Sequence, residues 1–311
     1  MTSKLVRQLE ERGYKARIAS IQHLRELQEG VEGYYKQGFI DAELYREYLT
    51  SFTFSIPNSL PDARSLIIVA VPQPQIRVTF TWNGNPIPVI VPPTYLHSKR
   101  TDKQVEGFLA GILAREGYRV TQARLPQKLL AVHSGLGAYG KNNICYVDGM
   151  GSFHRPVAFY SDFPCQEDNW QEVRMMEACQ RCSACLRKCP TGAITSERFL
   201  LHAERCITFR NEKPGDVPFP EWIDPSWHNC LVGCLDCQTI CPQNRDVLQW
   251  IDEGAQFSQE ETTLFLEGVS LDQLPAATGK KLQHFDMVEY LDLFPRNLRV
   301  FFERDLPPVD P

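Results

Sequence analysis

The chain has 311 residues, of which 43% are hydrophobic and 23% charged, the balance of an ordinary soluble globular protein with room for two domains. Its longest apolar run, Leu66–Val71, is far too short to span a bilayer. The formal net charge of −5, with no long basic block, argues against a broad nucleic-acid-binding face.

The opening stretch, MTSKLVRQLEERGY, lacks the uninterrupted apolar core of a secretory signal, so a cytoplasmic protein is expected. Residues 1–52 read as helices, because Leu5, Leu9, Ile21, Leu24, Leu27, Val31 and Tyr35 recur at helical spacing among charges. SLIIVAVP (65–72) is a β-branched run closed by proline and reads as a buried strand. Asn83-Gly84 lies between two strand-like runs and predicts a hairpin, with Pro86 and Pro88 pointing to an edge strand. Residues 102–116 read as a helix with Val105, Phe108, Leu109 and Ile112 on one face. KLLAV (128–132) reads as a strand feeding a glycine loop, and 143–163 as strand and turn. The alternation implies an α/β domain up to about residue 165. Helical stretches follow around Glu260–Leu266 and Met287–Leu293 before the ending DLPPVDP.

Between residues 175 and 245 the character changes. Nine of eleven cysteines fall between Cys179 and Cys241, and in a reducing compartment such clustering points to metal or redox chemistry. Cys179, Cys182, Cys185 and Cys189 form C-x2-C-x2-C-x3-C-P, the ferredoxin spacing for a [4Fe–4S] site. Cys234, Cys237 and Cys241 repeat the C-x2-C-x3-C-P ending. In two-cluster ferredoxins the fourth cysteine of each run serves the other cluster. Cys179, Cys182, Cys185 and Cys241 then hold one cluster. Cys189, Cys234 and Cys237 hold the second and need a fourth ligand, for which Cys206 and Cys230 compete. A zinc ribbon is the competing reading of paired C-x2-C, disfavoured by the doubled C-x3-C-P. Cys145 and Cys165 read as plain buried thiols.

GLGAYGKNN (135–143) looks like a phosphate cradle but lacks what a nucleotide requires. No helix follows it, as a dinucleotide fingerprint demands, and Asn142 stands where a Walker loop needs Ser or Thr for magnesium. The remaining readings are a tight turn, or a close backbone approach to another large, flat or anionic ligand.

Taken in order, LPDARSLIIVAV (60–71), AVHSGLGAYGKNNI (131–144), GSF (151–153), CQRCSACLRKCPTGAI (179–194), ERCITF (204–209), GCLDCQTICPQN (233–244) and FPRNLRVFF (294–302) resemble the epoxyqueuosine reductase family, cobalamin-dependent iron–sulfur proteins related to reductive dehalogenases. The resemblance implies an α/β fold, an α+β sandwich that binds a corrinoid, over residues 1–170. It implies a ferredoxin-like module with two [4Fe–4S] clusters over 171–250, and a short helical tail over 251–311 packing back on the first domain. Base-off cobalamin would lie between the first two. Gly135, Leu136, Gly137, Ala138, Tyr139, Gly140, Lys141 and Asn142, with Gly151, Ser152 and Phe153, would then line the corrin. The family's pattern also favours Cys206 over Cys230 as the eighth cluster ligand. The activity implied is an oxidoreductase in which an external low-potential donor reduces the clusters, the clusters reduce cobalt, and cobalt reduces a small molecule or modified nucleoside. A non-catalytic electron-transfer or corrinoid-handling protein is the alternative.

The chain departs from the family in two places. Longer members append helical repeats that help hold tRNA, where this sequence has 14 residues beyond Asn297, so tRNA is not an expected partner. The family's two acidic positions before the glycine loop fall on Thr121 and Gln127. Neither ionises at neutral pH. Epoxyqueuosine is therefore not the expected substrate, and His133, Tyr95 and Asp102 are the candidate proton donors.

Overall fold

The computed structural model describes residues 2–302; the end of the expected tail, DLPPVDP, lies outside them. Strand β1 (Lys15–Ser20) pairs with β2 (Ser65–Pro72), and β3 (Gln75–Trp82) with β4 (Asn85–Val91). Further on come β5 (Val120–Gln122), β6 (Ala138–Tyr139), β7 (Cys145–Tyr146), β8 (His154–Ser161) and β9 (Ile251–Phe257). They form an antiparallel sheet of order β1-β2-β8-β5, a three-stranded sheet of order β4-β3-β9, and the short pair β6-β7.

The first sheet is covered on both faces, which explains the unbroken apolar run of β2. Leu66, Ile68 and Ala70 face a core shared with Leu27 and Val31 of the helix Leu24–Lys36 and with Leu130 of the helix Gln127–His133. Ile67, Val69 and Val71 face Leu5, Leu9, Val105, Leu109 and Leu113. The chain is thus α/β, as read from the sequence. The hairpin also forms as read: Asn83 and Gly84 both take positive φ, the requirement of a tight two-residue turn, and β4 with its prolines is an edge.

Three elements differ from expectation. Residues 15–20 are a strand, with Ala16 and Ile18 buried in alternation. Residues 127–133 are helix, not strand; Leu129 to His133 are all buried, and a short run buried all round carries no period to tell the two apart. Residues 251–257 form β9, parallel to β3, with Ala255 and Phe257 turned into a core that also holds Phe80, Phe265, Phe294 and Leu298. Its charges and Gly254 hid that strand from local pattern.

Candidate metal centre

The cysteine segment folds as two copies of one small device. A short helix, Ala184–Lys188, follows Cys182, and Cys189 leaves it in extended conformation ahead of Pro190. The helix Asp236–Thr239 does the same for Cys241 and Pro242. Helical residues keep nearby thiols on one side, and each extended cysteine–proline step carries the last thiol away.

Cys179, Cys182, Cys185 and Cys241 line one cleft, together with Lys141, Asn142 and Tyr146. Among the described residues, no three His, Cys, Asp or Glu side chains close on a point that one ion would fill. Four thiols line the cleft together, the number of ligands a [4Fe–4S] cluster takes. Burial pushes the Cys179 and Cys185 thiols up, so their thiolates need positive charge nearby. The donor set fits an iron–sulfur cluster.

Burial raises thiols of the second set as well. Burial pushes Cys234 up to about 12 and Cys237 well above the ordinary thiol value. The charges acting on Cys206 include Cys189; those acting on Cys234 include Cys206; those acting on Cys237 include Cys234 and Cys206. Cys206 therefore neighbours all three partners expected for it. Cys230 is fully buried, donates to Asn229 Oδ1 at 3.0 Å, and feels Cys234 and Asp236.

The glycine loop grips this module. Lys141 Nζ donates to the Cys182 carbonyl at 2.7 Å, and Asn142 Nδ2 to the Cys237 carbonyl at 3.3 Å. Asn143 donates to the Phe199 carbonyl and accepts from Leu201 N–H. Ser152 N–H donates to Asn244 Oδ1 at 2.8 Å, and Asn244 Nδ2 returns a bond to Ser152 Oγ at 2.8 Å. The loop leads into β7 and not into a helix, which removes the nucleotide cradle.

Three of these glycines have a structural cause besides the ligand contact expected of them. A Cβ on Gly137 would sit 2.6 Å from the Tyr146 carbonyl and 2.8 Å from Cys145 Sγ. One on Gly140 would meet Asn142 Oδ1 and Tyr146 Cε2, both at 2.6 Å, and one on Gly151 would strike Asn244. At these three positions the close approach is by the chain itself. Leu136, Tyr139 and Phe153 are buried in the fold; Gly135 and Ala138 stay partly open.

The candidate proton donors scatter. His133 is buried, with Nδ1 2.6 Å from the Gln171 carbonyl and its ring stacked on Trp170, which stacks in turn on His23. It does not line the cysteine cleft. Asp102 is held by Arg155 through contacts of 2.5 and 2.7 Å and accepts from Gln122 at 3.0 Å, so both oxygens are engaged. Thr121 lies in β5 opposite Tyr160. Tyr95 alone approaches the second cysteine set: its hydroxyl donates to Glu212, and Cys206 is among the charges acting on it. Sequence reasoning missed Glu212 and Tyr146, since nothing in their local pattern marks them.

Residues 178–244 match the family described as a 4Fe-4S double cluster binding domain. The epoxyqueuosine reductase of Yersinia pestis is 37% identical over 127 residues, 40% of this chain and 29% of that protein. The match thus spans under a third of that relative's length. The structure of epoxyqueuosine reductase from Streptococcus thermophilus superposes with a TM-score of 0.67 at 20% identity, covering 97% of this chain and 80% of that one. The chain resembles the epoxyqueuosine reductases and has their fold. Its residues 178–244 are a double [4Fe–4S] module of the kind expected from the cysteine spacing. A further epoxyqueuosine reductase structure, solved with an epoxyqueuosine-modified tRNA stem loop, superposes with a TM-score of 0.63 at 20% identity over 96% of this chain and 80% of that one. That relative's ligand runs against the expectation that tRNA is no partner. Among the described residues no helix is long and apolar enough to cross a membrane.

Proposed function

We propose that this protein is an epoxyqueuosine reductase-like oxidoreductase. Cys179, Cys182, Cys185 and Cys241 hold one [4Fe–4S] cluster; Cys189, Cys206, Cys234 and Cys237 hold the other. The observation that carries this reading is that two four-thiol sets, one of them lining a cleft, sit side by side under the loop 135–143, which donates to the Cys182 and Cys237 carbonyls. The cleft set receives electrons from an external low-potential donor, and the second set passes them on. Cys185 is among the charges acting on Cys237, which supports transfer between the sets.

Base-off cobalamin enters through the resemblance to the family, and when bound it would supply a strongly reducing cobalt centre. The residues expected to cradle it also have structural work. The would-be Cβ positions of Gly137, Gly140 and Gly151 are filled by the chain's own atoms, and Lys141 and Asn142 each donate to the cysteine module. We route no step through it. This chain's own residues Lys141, Asn142 and Ser152 hold the cysteine module in register with the first part of the molecule. The substrate is a small molecule or a modified nucleoside other than epoxyqueuosine, because Thr121 and Gln127 carry no acid.

Anaerobic preparation with added cobalamin tests the reading. About eight irons per chain, a corrinoid spectrum, and slow conversion of an epoxyqueuosine-containing tRNA are expected. Zinc in place of iron would overturn it. Iron and corrin with no turnover on any reducible nucleoside would favour the electron-carrier alternative.

A further inference from the structure

We infer that the surface over the first thiol set is the docking face for a small, acidic electron-carrier protein. The inference rests on the reading above, which needs an external donor, and adds where that donor binds and what charge its own surface carries.

The chain as a whole is acidic, with 38 acidic residues against 33 basic ones. The two runs that carry the first set reverse this balance. Residues 178–196 contain Arg181, Arg187 and Lys188 and no Asp or Glu; residues 237–245 contain Arg245 and again no acid. All four bases are exposed. The bordering acids are Glu177, Glu197, Asp236 and Asp246, and Asp236 is engaged by Lys188 Nζ at 3.3 Å. That pair ties the helix Ala184–Lys188 to the helix Asp236–Thr239. Among the described residues Arg181, Arg187 and Arg245 form no ion pair; Arg187 donates to the Ser183 hydroxyl.

These charges do little for the fold, since exposed bases without partners add almost nothing to stability and repel one another. Nor do they serve chiefly to balance the thiolates. The cation acting on Cys179 is Lys141, from inside the cleft, and no arginine figures among the leading charges on Cys179 or Cys185. The arginines present a positive field to solvent instead, and such a field steers an anionic partner.

The place suits electron entry. Arg181 directly precedes Cys182, and Ile240 and Pro242 flank Cys241; all three are exposed. Ile207, Gly233 and Leu235, which flank thiols of the second set, are buried. Ile240, 44% exposed, supplies an apolar contact beside the bases. A small patch is enough, because redox encounters sit at the low end of interface size. RNA would also seek positive charge, but neither run holds an aromatic residue on which a base could stack. In the docked pair one electron leaves the reduced carrier and enters the first cluster. The carrier is oxidised by one electron and the cluster reduced by one, and no bond is made or broken.

Stopped-flow reduction of the cluster-loaded protein by a reduced, acidic plant-type ferredoxin tests it. The second-order rate should fall about tenfold or more between about 20 and 500 mM salt. Arg181→Glu combined with Arg187→Glu should lose about tenfold at low salt and most of the salt dependence. Photoreduced deazaflavin, small and uncharged, should reduce wild type and variant equally. Should that variant lose iron, Arg181→Gln with Arg187→Gln replaces it, with an expected loss of about threefold. A wild-type rate indifferent to salt, variants within the error of wild type, or an equal loss with deazaflavin overturns the proposal. So does a stem-loop RNA that displaces the ferredoxin at equal concentration. Iron and deazaflavin reduction without a salt-dependent ferredoxin rate sinks the docking face alone; zinc in place of iron sinks the reading under Proposed function.

Discussion

Gly137→Ala separates a glycine needed by the fold from one needed by a ligand. The added Cβ would lie 2.6 Å from the Tyr146 carbonyl and 2.8 Å from Cys145 Sγ, where ordinary contact begins near 3.4 Å. The two must part by about 0.8 Å. Neither neighbour yields cheaply: Tyr146 pairs with Ala138 across β6-β7, and Cys145 is 2% exposed. Overpacking of a tight site costs about 1–3 kcal/mol, and two rigid contacts put this site at the upper end. A loss of about 3 kcal/mol lowers the melting temperature by about 5–10 °C in a chain of this size. Thermal unfolding of the cluster-loaded protein, followed by circular dichroism under anaerobic conditions, reads it out. Gly107→Ala is the control. Gly107 is exposed in the helix Ser98–Ala114 with no atom within 4 Å of its would-be Cβ, so the substitution should gain up to about 1 kcal/mol. Wild-type stability in Gly137→Ala would refute the packing argument and return this glycine to a ligand.

Three further outcomes follow from the same geometry. Cys182→Ser and Cys237→Ser should each lose about half the iron by elemental analysis, whereas Cys230→Ser, bonded to Asn229, should keep both clusters and Cys206→Ser should not. Tyr146 lines the first cleft, stays protonated because burial raises it far above the phenol value, and accepts from Asn142 at 2.9 Å, leaving its own proton for Cys241. If that bond is worth about 1 kcal/mol more on the reduced cluster, Tyr146→Phe lowers the potential by roughly 40 mV at 59 mV per tenfold; an unchanged value in an electron-resonance redox titration argues against donation to sulfur. Asp102→Asn strands Arg155 in a site where the pair's side chains are 19% and 12% exposed, and should cost about 3 kcal/mol in unfolding experiments while leaving iron content unaltered.

The chemistry of this protein was legible where it depends on covalent spacing. Two or three residues between cysteines bring thiols to one side of a short turn whatever the rest of the chain does, and the proline after Cys189 and Cys241 ends each helix locally. The Asn83-Gly84 turn and the doubly covered β2 were legible for the same reason: backbone preference and an unbroken apolar run act over a few residues. Tertiary structure decided the rest. The loop 135–143 announced a close approach but not what approaches, because Tyr146 and Asn244 reach those glycines only after the chain folds back. The helix 127–133 and the strand β9 were hidden because burial on all sides, or a parallel partner about 175 residues away, overrides local period. Asp102 meets Arg155, 53 residues on, and Tyr95 meets Glu212, 117 residues after it, contacts that only the folded chain makes. A carboxyl's protonation is set by the charges and solvent around it, and those are properties of the packed molecule, not of neighbours in sequence.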